Sequence, residues 1–237
     1  MVDLIPLRRL YKYESFLREE GGETGRHYVD SAGKRLPSVT TILSATKDRR
    51  KLDEWADRVE KETADRIRND AASVGTHMHN VVERMIAYRD LPKPTNWNMV
   101  LGYEMGYRLI RERLVNMNEI WASEATLHYP EKYAGTADLI GIYRGNQAII
   151  DLKQSLKPKR HEWIEDYFHQ TAAYALAHDI VHGTSITHAY VLIALQTGGT
   201  QELSTAGREF ERYKEDWMKR VERYHSLDRD QMAQYFS

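Results

Sequence analysis

The chain has 237 residues, 41 % of them apolar and 10 % aromatic, enough to bury the core of one globular domain with additions. It has no cysteine, which excludes disulfides, thiolate zinc sites and cysteine-held iron–sulfur clusters, and no apolar run approaches the ~18 residues of a membrane span. The net charge of −1 gives no sign of a polyanionic partner, yet basic groups cluster at Arg49, Arg50 and Lys51, at Arg108, Arg111 and Arg113, and at Lys157, Lys159 and Arg160.

Residues 1–22 lack an apolar signal core and carry several acids, which argues against a signal or transit peptide. Residues 7–20 read as a helix ending before Gly21-Gly22. Arg26 to Val39 reads as a small hairpin turned near Ser31 to Lys34, and Thr40 or Thr41 opens a short helix. Residues 51–69 are charged and helix-periodic, with Leu52, Trp55, Val59 and Ile67 as inward positions. Ser73 caps a second helix running to about residue 88, ahead of Pro92, and residues 95–116 form a third. Strands follow over 120–129, 135–144 and 147–153, then a helix over 162–178. An apolar strand over 187–196 turns at Gly198-Gly199, and a last helix spans 205–224. This order predicts one domain over 1–237: a mostly helical N-terminal region to residue 118 and an α/β (α+β) core over 119–225. Trp55, Trp97, Trp121, Trp163 and Trp217 read as core or helix-packing residues.

The stretch GTADLIGIYRGNQAIIDLKQS, residues 135–155, reads as an apolar hairpin that nonetheless holds Asp138, Asp151 and Lys153. A turn centred on Gly145-Asn146 pairs Arg144 with Gln147, sets Asp138 opposite Lys153, and sets Ile140 opposite Asp151. Paired residues share a face, so all three charges project from one side at the end distant from the turn, unless a bulge or a one-residue slip intervenes. Burying them uncompensated costs several kcal/mol or more. A plain ion pair of Lys153 with one aspartate leaves the other carboxylate unpaired. Two converging carboxylates suit a hard divalent cation, Mg²⁺ or Mn²⁺, and an ammonium group beside them suits a phosphate as third party.

Asp138 followed by Asp151-Leu152-Lys153 resembles the signature of the PD-(D/E)XK nuclease superfamily, an acid on one strand and acid-x-Lys on the next. Gly75-Thr76-His77-Met78-His79 resembles the Gly-x-x-x-His motif of its RecB-like branch. Gln170-Thr171-Ala172-Ala173-Tyr174 resembles the Gln-x-x-x-Tyr motif that follows the lysine strand there. Each motif places its outer residues one helical turn apart on a common face. Pro37-Ser38-Val39-Thr40, with Ser155 and Lys157-Pro158-Lys159, is similar to the mitochondrial genome maintenance exonuclease group and its phage-encoded relatives. The likeness extends over residues 28–224. Ala137 stands where the family name has proline, and Gln154 where threonine is commoner. No Walker-type phosphate loop is present.

The resemblance implies a restriction-endonuclease-like core, a central mixed sheet flanked by helices. It implies a cytoplasmic enzyme of a bacterium or phage-infected cell that hydrolyses DNA from free, single-stranded ends, in recombination, repair or degradation. His79, Asp138, Asp151 and the Leu152 carbonyl are the expected ligands of one or two Mg²⁺ or Mn²⁺ ions. Lys153 is the expected charge-offsetting catalytic group, and Gln170 and Tyr174 the strand-positioning pair. Glu124, on the strand before the hairpin, is a candidate support. Ser38, Thr40, Ser155, Lys157, Lys159 and Arg160 are candidate DNA contacts. A single-strand-binding or recombination protein is the candidate partner; no membrane and no iron–sulfur cluster is expected. The rival expectations are an endonuclease on the same fold and a non-catalytic nucleic-acid-binding module.

Overall fold

The computed structural model describes residues 7–21, 25–47, 61–88, 90–228 and 235. The short strands β1 (Leu17–Glu19), β2 (His27–Val29) and β3 (Arg35–Pro37) form an antiparallel sheet in that order. The β2–β3 turn falls where the sequence puts it: Asp30 N–H donates to Lys34 O, and Gly33 takes φ 82°. Helix α1 (Val39–Thr46) follows, then α2 (Lys61–Tyr88) and α3 (Trp97–Glu112). A second sheet runs β4 (Met117–Tyr129), β5 (Tyr133–Tyr143), β6 (Asn146–Ser155), β7 (His188–Leu195) and β8 (Thr200–Ala206). It is antiparallel except for the β6–β7 pair, whose crossover is α4 (Glu165–His182); α5 (Gly207–His225) closes the series. The result is a mixed α+β architecture with a five-stranded mixed sheet flanked by helices. No helix among the described residues is long and apolar enough to cross a membrane.

Strand alternation sorts the core into two layers. Ala148, Ile150 and Leu152 of β6 pack with Val74, Met78, Met105 and Leu109 under α2 and α3. Ile149 of the same strand belongs with Val39, Ile42, Ala173, Phe210 and Trp217 under α1, α4 and α5. By the same alternation, Asp151 and Lys153 fall on the α4 side.

Several expectations are corrected. Residues 7–20 form no helix: Leu7 bridges Ile120, Arg8 N–H donates to Ile120 O at 2.7 Å, and residues 17–19 are strand β1. Edge pairing and the rings of Tyr11 and Tyr13 against His178 outweigh a modest helical propensity. Ser73 caps nothing, because α2 runs unbroken through it. With no glycine or proline over 61–74, nothing ends the helix there. Expected inward positions Leu52, Trp55 and Val59, and the basic group at Arg49, Arg50 and Lys51, lie outside the described residues. Thr205 and Ala206, expected to lie at the start of the last helix, instead end strand β8, because the Gly198-Gly199 turn folds that segment back on β7 and α5 begins at Gly207. Trp97 and Trp163 are exposed rather than core, whereas Trp121 and Trp217 are buried.

The hairpin register is also revised, by two residues. Tyr143 pairs with Asn146 and Ile140 with Ile149, so Arg144-Gly145 is the turn. Both turn residues have positive φ, 49° and 82°, the type I′ geometry that matches strand twist and favours glycine second. A shift of two preserves which face each side chain takes along the paired ladder, from the turn to Leu139 and Ile150.

Candidate active site

β4 and β5 carry an irregularity where their charges lie. Ala122 and Ala125 both belong to the layer under α1, α4 and α5, as do Ala137 and Ile140. Residues three apart on a regular strand face opposite ways, so both strands kink in between. Glu124 sits in the β4 kink at φ 49°. Ser123 pairs with Leu139 and Ala125 with Ala137, which brings Glu124 and Asp138 abreast. Like charges placed so are destabilising unless a cation joins them.

His79 of α2 does join them in this structure. Its Nδ1 lies 3.3 Å from Glu124 Oε1 and 3.5 Å from Asp138 Oδ1. Burial disfavours the imidazolium, but the Asp138 and Glu124 carboxylates outweigh it and push His79 up to about 9. Asp138 Oδ2 accepts the Leu152 N–H at 2.6 Å. Burial nevertheless raises Asp138 above the ordinary aspartate value.

Asp151 is 1 % exposed. Its Oδ1 accepts from Lys153 Nζ at 2.6 Å, and burial followed by the pull of that ammonium and the push of Asp138 leaves it at about 6. Lys153 Nζ lies 3.5 Å from Gln170 Oε1 and 5.0 Å above the Tyr167 ring. Gln170 Nε2 donates to the Tyr174 hydroxyl at 3.2 Å. The Tyr174 ring is set by Gly135, where a Cβ would come within 2.8 Å of it. Asp151, Lys153, Gln170 and Tyr174 therefore form one polar chain running from β6 to α4.

The residues fit a divalent cation. One ligand atom each from His79, Glu124 and Asp138 lies within 4.8 Å of the others. The buried Oδ2 of Asp151 has no hydrogen-bond partner, an orphan that a cation or its water would satisfy. An oxygen-rich set with one imidazole and no thiolate suits Mg²⁺ or Mn²⁺.

His79, Glu124, Asp138, Lys153, Gln170 and Tyr174 line one cleft of ≈ 200 Å³, with Ser38 and Thr40 at the start of α1. Ser38 caps that helix, accepting the Thr41 N–H at 2.9 Å, while Thr40 is exposed. The other expected DNA contacts are not brought to this wall. Ser155 Oγ donates to Lys157 O at 2.8 Å, Lys159 N–H donates to Gln201 Oε1 at 2.8 Å, and Arg160 lies over the Trp163 ring at 5.2 Å.

Two features escaped the sequence reading. Gly75 is not forced by packing, since a Cβ there meets only Gln154 Cγ at 3.9 Å. Gly102 and Gly106 are the close-contact glycines: a Cβ at Gly102 would lie 2.6 Å from His77 Cβ, and one at Gly106 2.8 Å from Met78 O. Their four-residue spacing was the signal for the tight α2–α3 contact that places His79. Arg18 and Arg26 also line the cleft. Arg18 was hidden by the helix expected over 7–20.

No protein-family model matches the chain. It is 25 % identical over 214 residues to mitochondrial genome maintenance exonuclease 1 of Homo sapiens, matching 84 % of this chain and 61 % of that one. It is 25 % identical over 228 residues to the Mus musculus protein of the same name, matching 85 % and 65 %. The chain thus spans less than two thirds of the length of these relatives. A solved candidate exonuclease from Eubacterium rectale superposes with a TM-score of 0.45 at 15 % identity, over 65 % of this chain and 64 % of that one.

Proposed function

We propose that the chain is a Mg²⁺- or Mn²⁺-dependent deoxyribonuclease with a RecB-like PD-(D/E)XK core, hydrolysing DNA from free single-stranded ends in recombination, repair or degradation. One observation carries the reading: His79, Glu124 and Asp138 converge within 4.8 Å in the cleft that also holds Lys153, beside the orphan oxygen of Asp151. The names of the curated relatives support it.

His79, Glu124, Asp138 and Asp151 would hold the cation. A bound divalent cation supplies Lewis-acid polarisation of a phosphate oxygen and acidifies water. The chain's own groups do the rest. The Lys153 ammonium, steered by Asp151 and Gln170, would offset charge that develops on the phosphoryl oxygens as water adds to phosphorus and gives up a proton to solvent, while the bond to the departing sugar oxygen breaks and that oxygen takes a proton from solvent. Tyr174, pushed by burial well above its ordinary value, stays neutral and offers its hydroxyl as a hydrogen-bonding group beside Gln170. Ser38 and Thr40 bring the positive end of α1 to the same wall, suited to a backbone phosphate.

The test is cleavage of end-labelled and circular single-stranded DNA with Mg²⁺ or Mn²⁺ supplied. Wild type shortens the linear substrate and leaves the circle whole, and Lys153→Ala loses at least ~10²-fold in rate while keeping its fold. Equal cleavage by Lys153→Ala overturns the mechanism; an opened circle makes the enzyme an endonuclease.

A further inference from the structure

The groups that would hold a cation leave the cleft a poor host for a polyanion. Glu124, Asp138 and the adjoining Asp151 outnumber the single ammonium of Lys153. The other lysine or arginine side chains on the cleft wall, among the described residues, are Arg18 of β1 and Arg26 just before β2.

These two guanidinium groups are gathered on one anion. Arg18 Nε and Nη2 both meet Glu20 Oε1, and Arg26 Nε donates to Glu20 Oε2 at 2.9 Å. The Glu20 carboxylate thus takes a bridging position that two oxygens of a phosphate group also suit, since guanidinium forks pair with either anion. The backbone beneath is fixed. Arg26 O accepts from Ser38 N–H at 2.9 Å and from Thr41 Oγ1 at 2.8 Å, tying it to the cap of α1. The Tyr28 hydroxyl lies 2.9 Å from Thr136 Oγ1, and Ser38 bridges Ala134, so the small sheet is fastened to β5 next to Asp138. The arginines are preorganised at the main chain and half-open at the tip: their side chains are 48 % and 33 % exposed, and that of Glu20 57 %. Solvent-exposed ion pairs of this kind contribute little stability, so the carboxylate is readily exchanged.

We infer that Arg18 and Arg26 form a phosphate-binding pair on the cleft wall, with Glu20 as a displaceable internal counter-ion. The pair grips a phosphate of the substrate strand away from the scissile one and so gives the small N-terminal sheet a function. This rests on the nuclease reading above. The phosphate has two sources, a chain terminus or an internal diester.

The experiment is steady-state cleavage of short single-stranded oligonucleotides by the full chain with Mn²⁺, comparing wild type, Arg18→Ala, Arg26→Ala and Glu20→Gln across salt concentrations. Each arginine variant is expected to raise KM roughly tenfold, the loss falling on KM rather than kcat. The salt dependence should flatten by roughly 0.7 in log–log slope. Glu20→Gln is expected to lower KM several-fold, with thermal melting confirming that each variant folds. Oligonucleotides with a terminal phosphate are compared with ones bearing hydroxyls at both ends. An arginine effect confined to the phosphorylated set assigns the pair to a terminus, and an equal effect on both assigns it to an internal diester. Wild-type KM and salt slope in both arginine variants overturn the pair. A raised KM in Glu20→Gln overturns the counter-ion. Failure of wild type to cut any oligonucleotide defeats the nuclease reading instead.

Discussion

Glu124 holds φ 49°, where a side chain with a Cβ is strained by roughly 1–2 kcal/mol, and it does so beside Asp138. Strain and like-charge crowding at one point are costs that a fold keeps only for a purpose. Asp138→Asn is therefore expected to have two opposite effects. Without metal it removes a buried carboxylate charge, whose desolvation outweighs the pull of His79 and Lys153, and so raises the melting temperature, since an amide oxygen still accepts the Leu152 N–H. With Mn²⁺ it loses the stabilisation that a ligand at a hundred times its Kd confers on wild type, about 2.7 kcal/mol. Thermal melting with and without Mn²⁺ checks both; an unchanged metal response contradicts the site. His178 is a separate case, away from the cleft. It is fully buried, with its ring nitrogens on Tyr13 OH at 3.2 Å and Thr184 Oγ1 at 2.8 Å. Burial, and then the neighbouring His182, depress it to about 4. The unfolded chain takes up that proton near pH 6.5 and the folded one does not until about 4, so its share of stability is intact above 6.5 and is lost as pH falls toward 4. The loss amounts to roughly 3 kcal/mol at most. Denaturant melts of wild type and His178→Gln between pH 7 and 4 are expected to converge as the pH falls, and parallel curves contradict the assignment.

Among the elements, the pair α2 and α3 decides where His79 stands. A Cβ at Gly106 would press on Met78 O at 2.8 Å and Val81 Cβ at 2.9 Å, one residue from His79. Gly106→Ala is expected to cost about 1–3 kcal/mol by overpacking, less the gain of about 1 kcal/mol in helix propensity, and to lower activity by moving His79. Gly75→Ala has open space and is expected to gain up to about 1 kcal/mol. Melting and cleavage rates of both variants test this. If Gly75→Ala is stable but inactive, that glycine serves substrate approach, not helix packing. This contrast also marks what a sequence makes legible. Asp138, Asp151 and Lys153 stood out as charges inside apolar strands, and Gln170 and Tyr174 only through their resemblance to a family motif, while the β-hairpin and α4 follow local rules; the structure brings these side chains together. The register was misjudged because Gly-Asn and Arg-Gly are both acceptable turns, and only the strand twist chooses. The β4 kink at Glu124 and the strand β1 were hidden because tertiary pairing, not local propensity, creates them. The glycine pair was visible in the letters, but its partner helix was not.

Across the whole molecule, the two core layers have different tasks. The layer under α2 and α3 carries His79 toward the sheet, and the layer under α1, α4 and α5 carries Gln170, Tyr174 and the cap of α1. The sheet supplies the acids and Lys153 between them. The near balance of 34 basic and 35 acidic residues conceals this division, because the acids of the cleft face arginines supplied by a separate small sheet. Everything functional in this account depends on a divalent cation being held by His79, Glu124, Asp138 and Asp151. The direct measurement is titration of Mn²⁺ into the purified chain, with unbound ion counted by electron paramagnetic resonance. The expected result is uptake of one or two ions by wild type and loss of at least one in Asp138→Asn and in His79→Ala. No uptake by folded wild type, or equal uptake by both variants, would contradict it.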